Sequence, residues 1–243
     1  MLVRNYKPIM SIKRKGTTDM SQADWDAYNG AVKSLFDKGL YAALVNPHAA
    51  MDHSSGHMSK HRMHGSMDGR LGAMRFLPWH RAYLIIFERA LRRENPLASI
   101  PYWDWIKAGR IPEQVIQLPN NARHNRAVDF VTQPQVDSIL SQPTYYEFTD
   151  ALEVGPHNEG HNFIGGIMAN PMFSPRDSMF WLHHANVDRL WYNWQRKPEN
   201  RNKIADITQF GIVEKKLDPW ESEFSIDNIN DALNLGGDSY EYA

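Results

Sequence analysis

A mainly α-helical fold is predicted, a four-helix bundle with long loops around it and few short strands. Three observations predict it. Four segments carry apolar residues at helical spacing. Each has a recognisable start or stop signal. Residues 100–125 and 198–243 are rich in Pro, Asn and Gly, and read as irregular with at most short strands.

The first helix spans 21–38. Ser21 and Asp24 form a capping-box pattern, Trp25, Tyr28, Val32, Leu35 and Phe36 follow at helical spacing, and Gly39 closes the run. The second spans 80–94, with Leu84, Phe87 and Leu91 on one face and a stop at Asn95-Pro96. The third spans 144–154 and is capped by Thr144. The fourth spans 174–195 and opens with Ser174 as N-cap, Pro175 at N1 and Asp177 at N3. Phe180, His184, Val187 and Trp191 line one of its faces. There is no internal repeat and no linker-like stretch, so residues 1–243 are expected to form a single domain.

Hydrophobic content of 42% supports a buried core, and a net charge of −1 predicts no grip on nucleic acid or an acidic membrane. No apolar run is long enough to span a bilayer, and the first residues lack the apolar core of a signal peptide. A cytoplasmic location is therefore expected, and export on a partner's signal is compatible with the same sequence. With 0 cysteines there are no disulfides and no thiolate ligands.

The 11 histidines are grouped. His48, His53, His57, His61, His64 and His80 form one cluster; His157, His161, His183 and His184 form another; His124 stands apart. His80 is expected at the start of the second helix and His184 inside the fourth, with His157 and His161 opening a short helix between them. Bundle cores are a common place for a dinuclear metal site.

The stretch PHNEGHNF (156–163) raises the metalloprotease motif H-E-x-x-H, but Asn158 stands where the glutamate is needed and Glu159 falls one residue later. On a helix, His157 and His161 share a face that Glu159 leaves. Carboxylate-bridged di-iron sites use Glu-x-x-His pairs, and none is present. A zinc site of three ligands and water could be built from one cluster. Two all-histidine clusters fit copper better, because imidazole suits copper and two ions together can deliver two electrons to O2.

FLPWHRAYLIIFERAL (76–91), IPYWDW (100–105), PHNEGHNFIGGIM (156–168) and DSMFWLHHANVDRLW (177–191) resemble the tyrosinase and catechol oxidase family of type 3 copper proteins, the short bacterial tyrosinases in particular. The resemblance runs from about residue 40 to residue 195. It implies two copper ions, with O2 as co-substrate. His48, His64 and His80 match the ligands of the first copper. The second of these is the least regular, since the position nine before His80 that many relatives use is Leu71, whereas His64 lies sixteen after His48. His61 is its alternative, then His53 or His57. His157, His161 and His184 match the ligands of the second copper, and the adjacent His183 reads as a packed or hydrogen-bonding histidine.

The resemblance also implies roles around the metals. Asn158 and Glu153 match residues thought to hold a water that helps deprotonate the phenol. Asn162, Pro171 and Phe180 match positions of the substrate gate and pocket wall. Arg4 and Tyr240-Glu241-Tyr242 resemble the markers that bracket the catalytic domain, so no C-terminal lid domain is expected. The His- and Met-rich stretch 51–67 reads as a polar rim loop, with auxiliary copper loading as the sharper alternative.

The expected activity is that of a tyrosinase, ortho-hydroxylating monophenols and oxidising o-diphenols to o-quinones, as in melanin biosynthesis. A catechol or o-aminophenol oxidase with little monophenolase activity is the first alternative. A hemocyanin-like O2 carrier is the second, and the lack of a shielding domain argues against it. The expected partners are a small phenolic substrate, with no nucleic acid and no membrane, and a copper chaperone is a compatible further partner.

Overall fold

The computed structural model describes residues 12–50, 70–119, 121–124, 126–201, 203 and 215–243. The fold is mainly helical, as the spacing predicts. The principal elements in chain order are β1 (Ile12–Arg14), α1 (Gln22–Asp37), α2 (Tyr41–Ala49), α3 (Arg70–Glu94), α4 (Trp105–Ala108), α5 (Gln133–Leu140), α6 (Tyr145–Leu152), a π-helical turn (Glu153–His157), α7 (Asn158–Ile164), α8 (Met179–Arg196), α9 (Ile226–Ile229) and β2 (Tyr240–Tyr242). Helix α3 is the centre of the bundle, packing against α1, α6 and α8. Among the described residues no helix is long and apolar enough to cross a membrane.

The helix starts follow local chemistry. Ser21 and Asp24 form the expected capping box on α1, and the Thr144 hydroxyl accepts the Glu147 N–H on α6. Two expected starts are displaced. Helix α3 already runs from Arg70, so His80 sits well inside it rather than at its beginning. Pro78 lies inside the helix, where proline leaves the carbonyl four residues back without its N–H donor. That carbonyl belongs to Met74, and the Tyr145 hydroxyl donates to it at 3.2 Å. Ser174-Pro175-Arg176 forms only a 3-10 turn, and α8 begins at Met179. The capping passes to Asp177, whose carboxylate accepts the Met179 N–H at 2.9 Å and is gripped by Arg123. Helix α5, with its own capping box at Thr132 and Gln135, lies in a stretch for which the periodicity predicted no element.

The two chain ends meet. β1 and β2 form a two-stranded parallel sheet, with Ile12 opposite Tyr240 and Arg14 opposite Tyr242. Among the described residues the arginine beside the Tyr-Glu-Tyr segment is Arg14; Arg4 lies outside the described residues. Arg14 is fully buried, with its guanidinium 3.7 Å from the Tyr240 ring centroid and 2.7 Å from Glu88 of α3. Asp188 of α8 completes the network. It accepts from Arg81 at 2.7 Å, from the Tyr240 hydroxyl at 2.5 Å and from the Tyr242 hydroxyl at 2.6 Å. Two buried arginines thus face two buried carboxylates, the arrangement that makes buried charge tolerable.

Candidate metal centre

Five of the expected histidines converge from five elements. His48 comes from the end of α2, His80 from the middle of α3, His157 and His161 from the π-helical turn and α7, and His184 from α8. His64 and its alternatives His53, His57 and His61 lie outside the described residues, as does the whole 51–67 stretch.

Backbone carbonyls fix the imidazole tautomers. Nδ1 of His80 lies 2.9 Å from the Phe76 carbonyl, that of His157 3.2 Å from Glu153, that of His161 2.9 Å from Met168 and that of His48 3.4 Å from Met172. A carbonyl only accepts, so each Nδ1 is the N–H donor and the lone pair resides on Nε2. That is how ligating histidines are usually held. The Nε2 atoms of His161 and His184 are 3.1 Å apart. Two nitrogens at about 2.0–2.1 Å from one ion would be about 3 Å apart.

His184 is set differently. Its Nδ1 is buried with no hydrogen-bond partner among the described residues. Stacking holds the ring instead, on Phe180 at 4.1 Å and on His80 at 4.2 Å between centroids. The second contact joins the two histidine clusters, which the sequence separates. Phe76 seats two further rings, His80 at 4.6 Å and His157 at 4.7 Å.

Burial keeps this cluster uncharged. The imidazoles of His157, His183 and His184 are pushed well below the ordinary histidine value, by loss of hydration first and by neighbouring imidazoles second. Neutral imidazole is the ligating form, so the same burial that disfavours protons prepares the site for a metal.

One ring nitrogen each of His157, His161 and His183 lie within 4.8 Å of one another, which makes His183 a rival to His184. Its hydrogen bonds set it apart from His184. Trp105 Nε1 donates to His183 Nδ1 at 3.2 Å, and His183 Nε2 lies 3.0 Å from the His157 carbonyl. Both its nitrogens are engaged, whereas the Nε2 of His184 faces that of His161.

The remaining expected residues fall at different depths. Glu153 is 2% exposed, which excludes a surface carboxylate at a helix end. It lies where α6 gives way to a kink at Gly155, whose backbone leaves helical geometry before α7 begins. Asn158 is half-buried and opens α7. Asn162 and Pro171 are exposed, the first directly after His161 and the second before Met172, whose carbonyl faces His48. Phe180, expected at the substrate gate and pocket wall, has no exposed surface and packs among His48, His161 and His184. It is an internal wall of the cluster.

Phe76, Trp105 and Gly160 were not singled out individually from sequence. Phe76 stands one helical turn before His80, a legible signal. A Cβ at Gly160 would come within 2.4 Å of the His183 ring, so glycine lets the two helices touch. The carbonyls of Met168 and Met172 have no side-chain signature at all.

The donor set of imidazoles alone, without thiolate or carboxylate, fits copper. A sequence profile for the common central domain of tyrosinase matches residues 38–129 and 112–197. The chain is 28% identical over 273 residues to a tyrosinase of Streptomyces glaucescens, covering 89% of this chain and 95% of that one. It is 27% identical over 266 residues to Hemocyanin 2 of Megathura crenulata, covering 94% of this chain and 8% of that protein. A functional unit of octopus hemocyanin superposes with a TM-score of 0.74 at 22% identity, over 96% of this chain and 68% of that one, a likeness of fold.

Proposed function

Since the chain belongs to the tyrosinase family of type 3 copper proteins, we propose that it is a dinuclear copper enzyme that ortho-hydroxylates monophenols and oxidises o-diphenols to o-quinones with O2. In this reading His157, His161 and His184 hold one copper, and His48, His80 and His64 hold the other. When bound, the copper pair supplies two electrons to dioxygen and a Lewis-acid centre that orients the phenol oxygen. One observation carries the assignment: the 3.1 Å approach of the Nε2 atoms of His161 and His184, with Nδ1 of His161 tied to the Met168 carbonyl.

The protein's own residues have three tasks. Backbone carbonyls hold four ligand rings in one tautomer, so metal binding requires no proton rearrangement there. Phe76 and Phe180 exclude water from the inner side of the cluster. Asn158 and Glu153 hold a water that accepts the phenol proton, general-base work that needs hydrogen-bond reach. The burial of Glu153 supports this role, as does its carbonyl on His157 Nδ1, which keeps the acid and the ligand in one turn. Asn162 and Pro171 stand on the exposed side and border the substrate's approach.

Oxygen uptake by the copper-loaded protein with catechol tests the reading. Sustained uptake with quinone formation is expected. Binding of about one O2 per copper pair without turnover would contradict it and favour an oxygen carrier.

A further inference from the structure

We infer that His183 is a positioning residue for the His157, His161 and His184 half-site, and that the Trp103-Asp104-Trp105 segment holds it in place. The inference rests on the reading that these three histidines bind copper.

The hydrogen bonds of His183 admit one neutral tautomer. The His157 carbonyl only accepts, so His183 Nε2, 3.0 Å away, carries the proton. The Trp105 indole only donates, so His183 Nδ1, 3.2 Å away, carries the lone pair. The two contacts agree with each other and immobilise the ring at both ends.

The location gives that immobility a purpose. His183 precedes His184 on α8, and its bond reaches the backbone of His157, where α7 begins. One side chain therefore ties together the two elements that supply the three imidazoles. Its ring stacks on His157 with an interplanar angle of 19° and meets His161 edge-on at 4.8 Å between centroids. Gly160 makes the approach feasible, because any Cβ there would collide with the His183 ring.

Trp103-Asp104-Trp105 then anchors α8 through three consecutive residues. The Trp103 N–H donates to the Leu182 carbonyl at 3.0 Å, Asp104 accepts from Arg189 at 2.9 Å, and Trp105 reaches His183. Asp104 also caps α4 through the Ile106 and Lys107 N–H groups. The segment is thus locked in itself before it grips the metal-bearing helix. Outer partners of this kind set the orientation of ligands and are worth about 10- to 100-fold in metal affinity.

The test is competition for Cu(II) between a chelator and four proteins: wild type, Trp105→Phe, His183→Phe and His183→Gln. Apoprotein melting is followed in parallel. Trp105→Phe and His183→Phe keep aromatic packing and lose the directional bonds; His183→Gln keeps an N–H at about the reach of Nε2. Weakening of one copper site by about 10- to 100-fold is expected in both Phe variants, with apoprotein melting near wild type and recovery in His183→Gln. Wild-type copper affinity in Trp105→Phe and His183→Phe, or equal loss in His183→Gln and His183→Phe, would overturn the inference. If His183→Phe does not fold, Trp105→Phe decides alone. Failure of the wild type itself to bind copper would instead overturn the functional reading, and this inference with it.

Discussion

The Nε2 atoms of His161 and His184 face each other at 3.1 Å across the gap between α7 and α8. With Nδ1 of His161 donating to Met168, its Nε2 presents a lone pair toward the other ring. No described partner fixes the tautomer of His184, so its Nε2 can donate to His161 in the metal-free protein and turn a lone pair to a metal ion when one binds. His161 is only partly buried, so its truncation leaves the core intact. His161→Ala is predicted to fold normally, to lower bound copper from about two to about one per chain, and to abolish phenol oxidation. Metal analysis with circular dichroism checks this; full copper content in the variant would contradict it.

Acid should weaken the apoprotein. His157, His183 and His184 are held well below the ordinary histidine value, chiefly by burial. In the unfolded chain they take up protons near pH 6.5, while the folded chain resists protonation. The unfolded state then binds more protons, so stability is complete above about pH 6.5 and falls as pH drops below it. For three groups the slope approaches about 4 kcal/mol per pH unit. Melting of the apoprotein between about pH 8 and about pH 5.5 should show a steep decline. A flat profile would mean the cluster is more hydrated than its burial indicates.

Asp188 should be costly to neutralise. Burial alone would raise its carboxyl, but Arg81 and then Arg14 hold it below the usual carboxylate value. Asp188→Asn leaves two buried guanidinium groups short of a charge, which costs about 3–5 kcal/mol. A fall in Tm of roughly 6–20 °C is predicted for a chain of this size. The ion pair's stabilisation is present above the unfolded carboxyl value and is lost as pH falls through the lower folded value. A Tm unchanged by the substitution would show that the Tyr240 and Tyr242 hydroxyls carry the network without the charge.

Tyr145 and Pro78 should be coupled. The Tyr145 hydroxyl serves the Met74 carbonyl that Pro78 deprives of a donor. Tyr145→Phe is predicted to cost about 1 kcal/mol. In a Pro78→Ala background the helix supplies its own N–H, and the same substitution should cost much less. A double-mutant cycle from denaturant midpoints measures the coupling, and simple additivity would contradict the account.

Much of this architecture is legible in the chain before any coordinates. The capping residues Ser21 and Thr144 and the apolar spacing mark α1 and α6, because caps and periodicity are local properties. The features that the sequence leaves open are those whose form depends on distant partners. The stretch of α3 before His80 is one of them: it contains Pro78, and Tyr145 serves the carbonyl that this proline leaves without a donor. Arg14 carries no local signal, and only strand pairing brings it to Tyr240 and Tyr242. At the metal centre the HxxxH pair stands out by spacing, and His184 over its neighbour His183 by the family resemblance. The carbonyls of Met168 and Met172 and the role of Trp105 do not, since they arise from chain crossings.

The functional assignment is tested most directly by a paired assay of the copper-loaded protein with L-tyrosine and L-DOPA, followed in the visible. Oxidation of both is predicted, with a lag on L-tyrosine, and Glu153→Gln should suppress the L-tyrosine reaction far more than the L-DOPA reaction. Oxidation of L-DOPA alone by the wild type would contradict the hydroxylase assignment and leave a diphenol oxidase; oxidation of neither would contradict the enzyme assignment for these substrates.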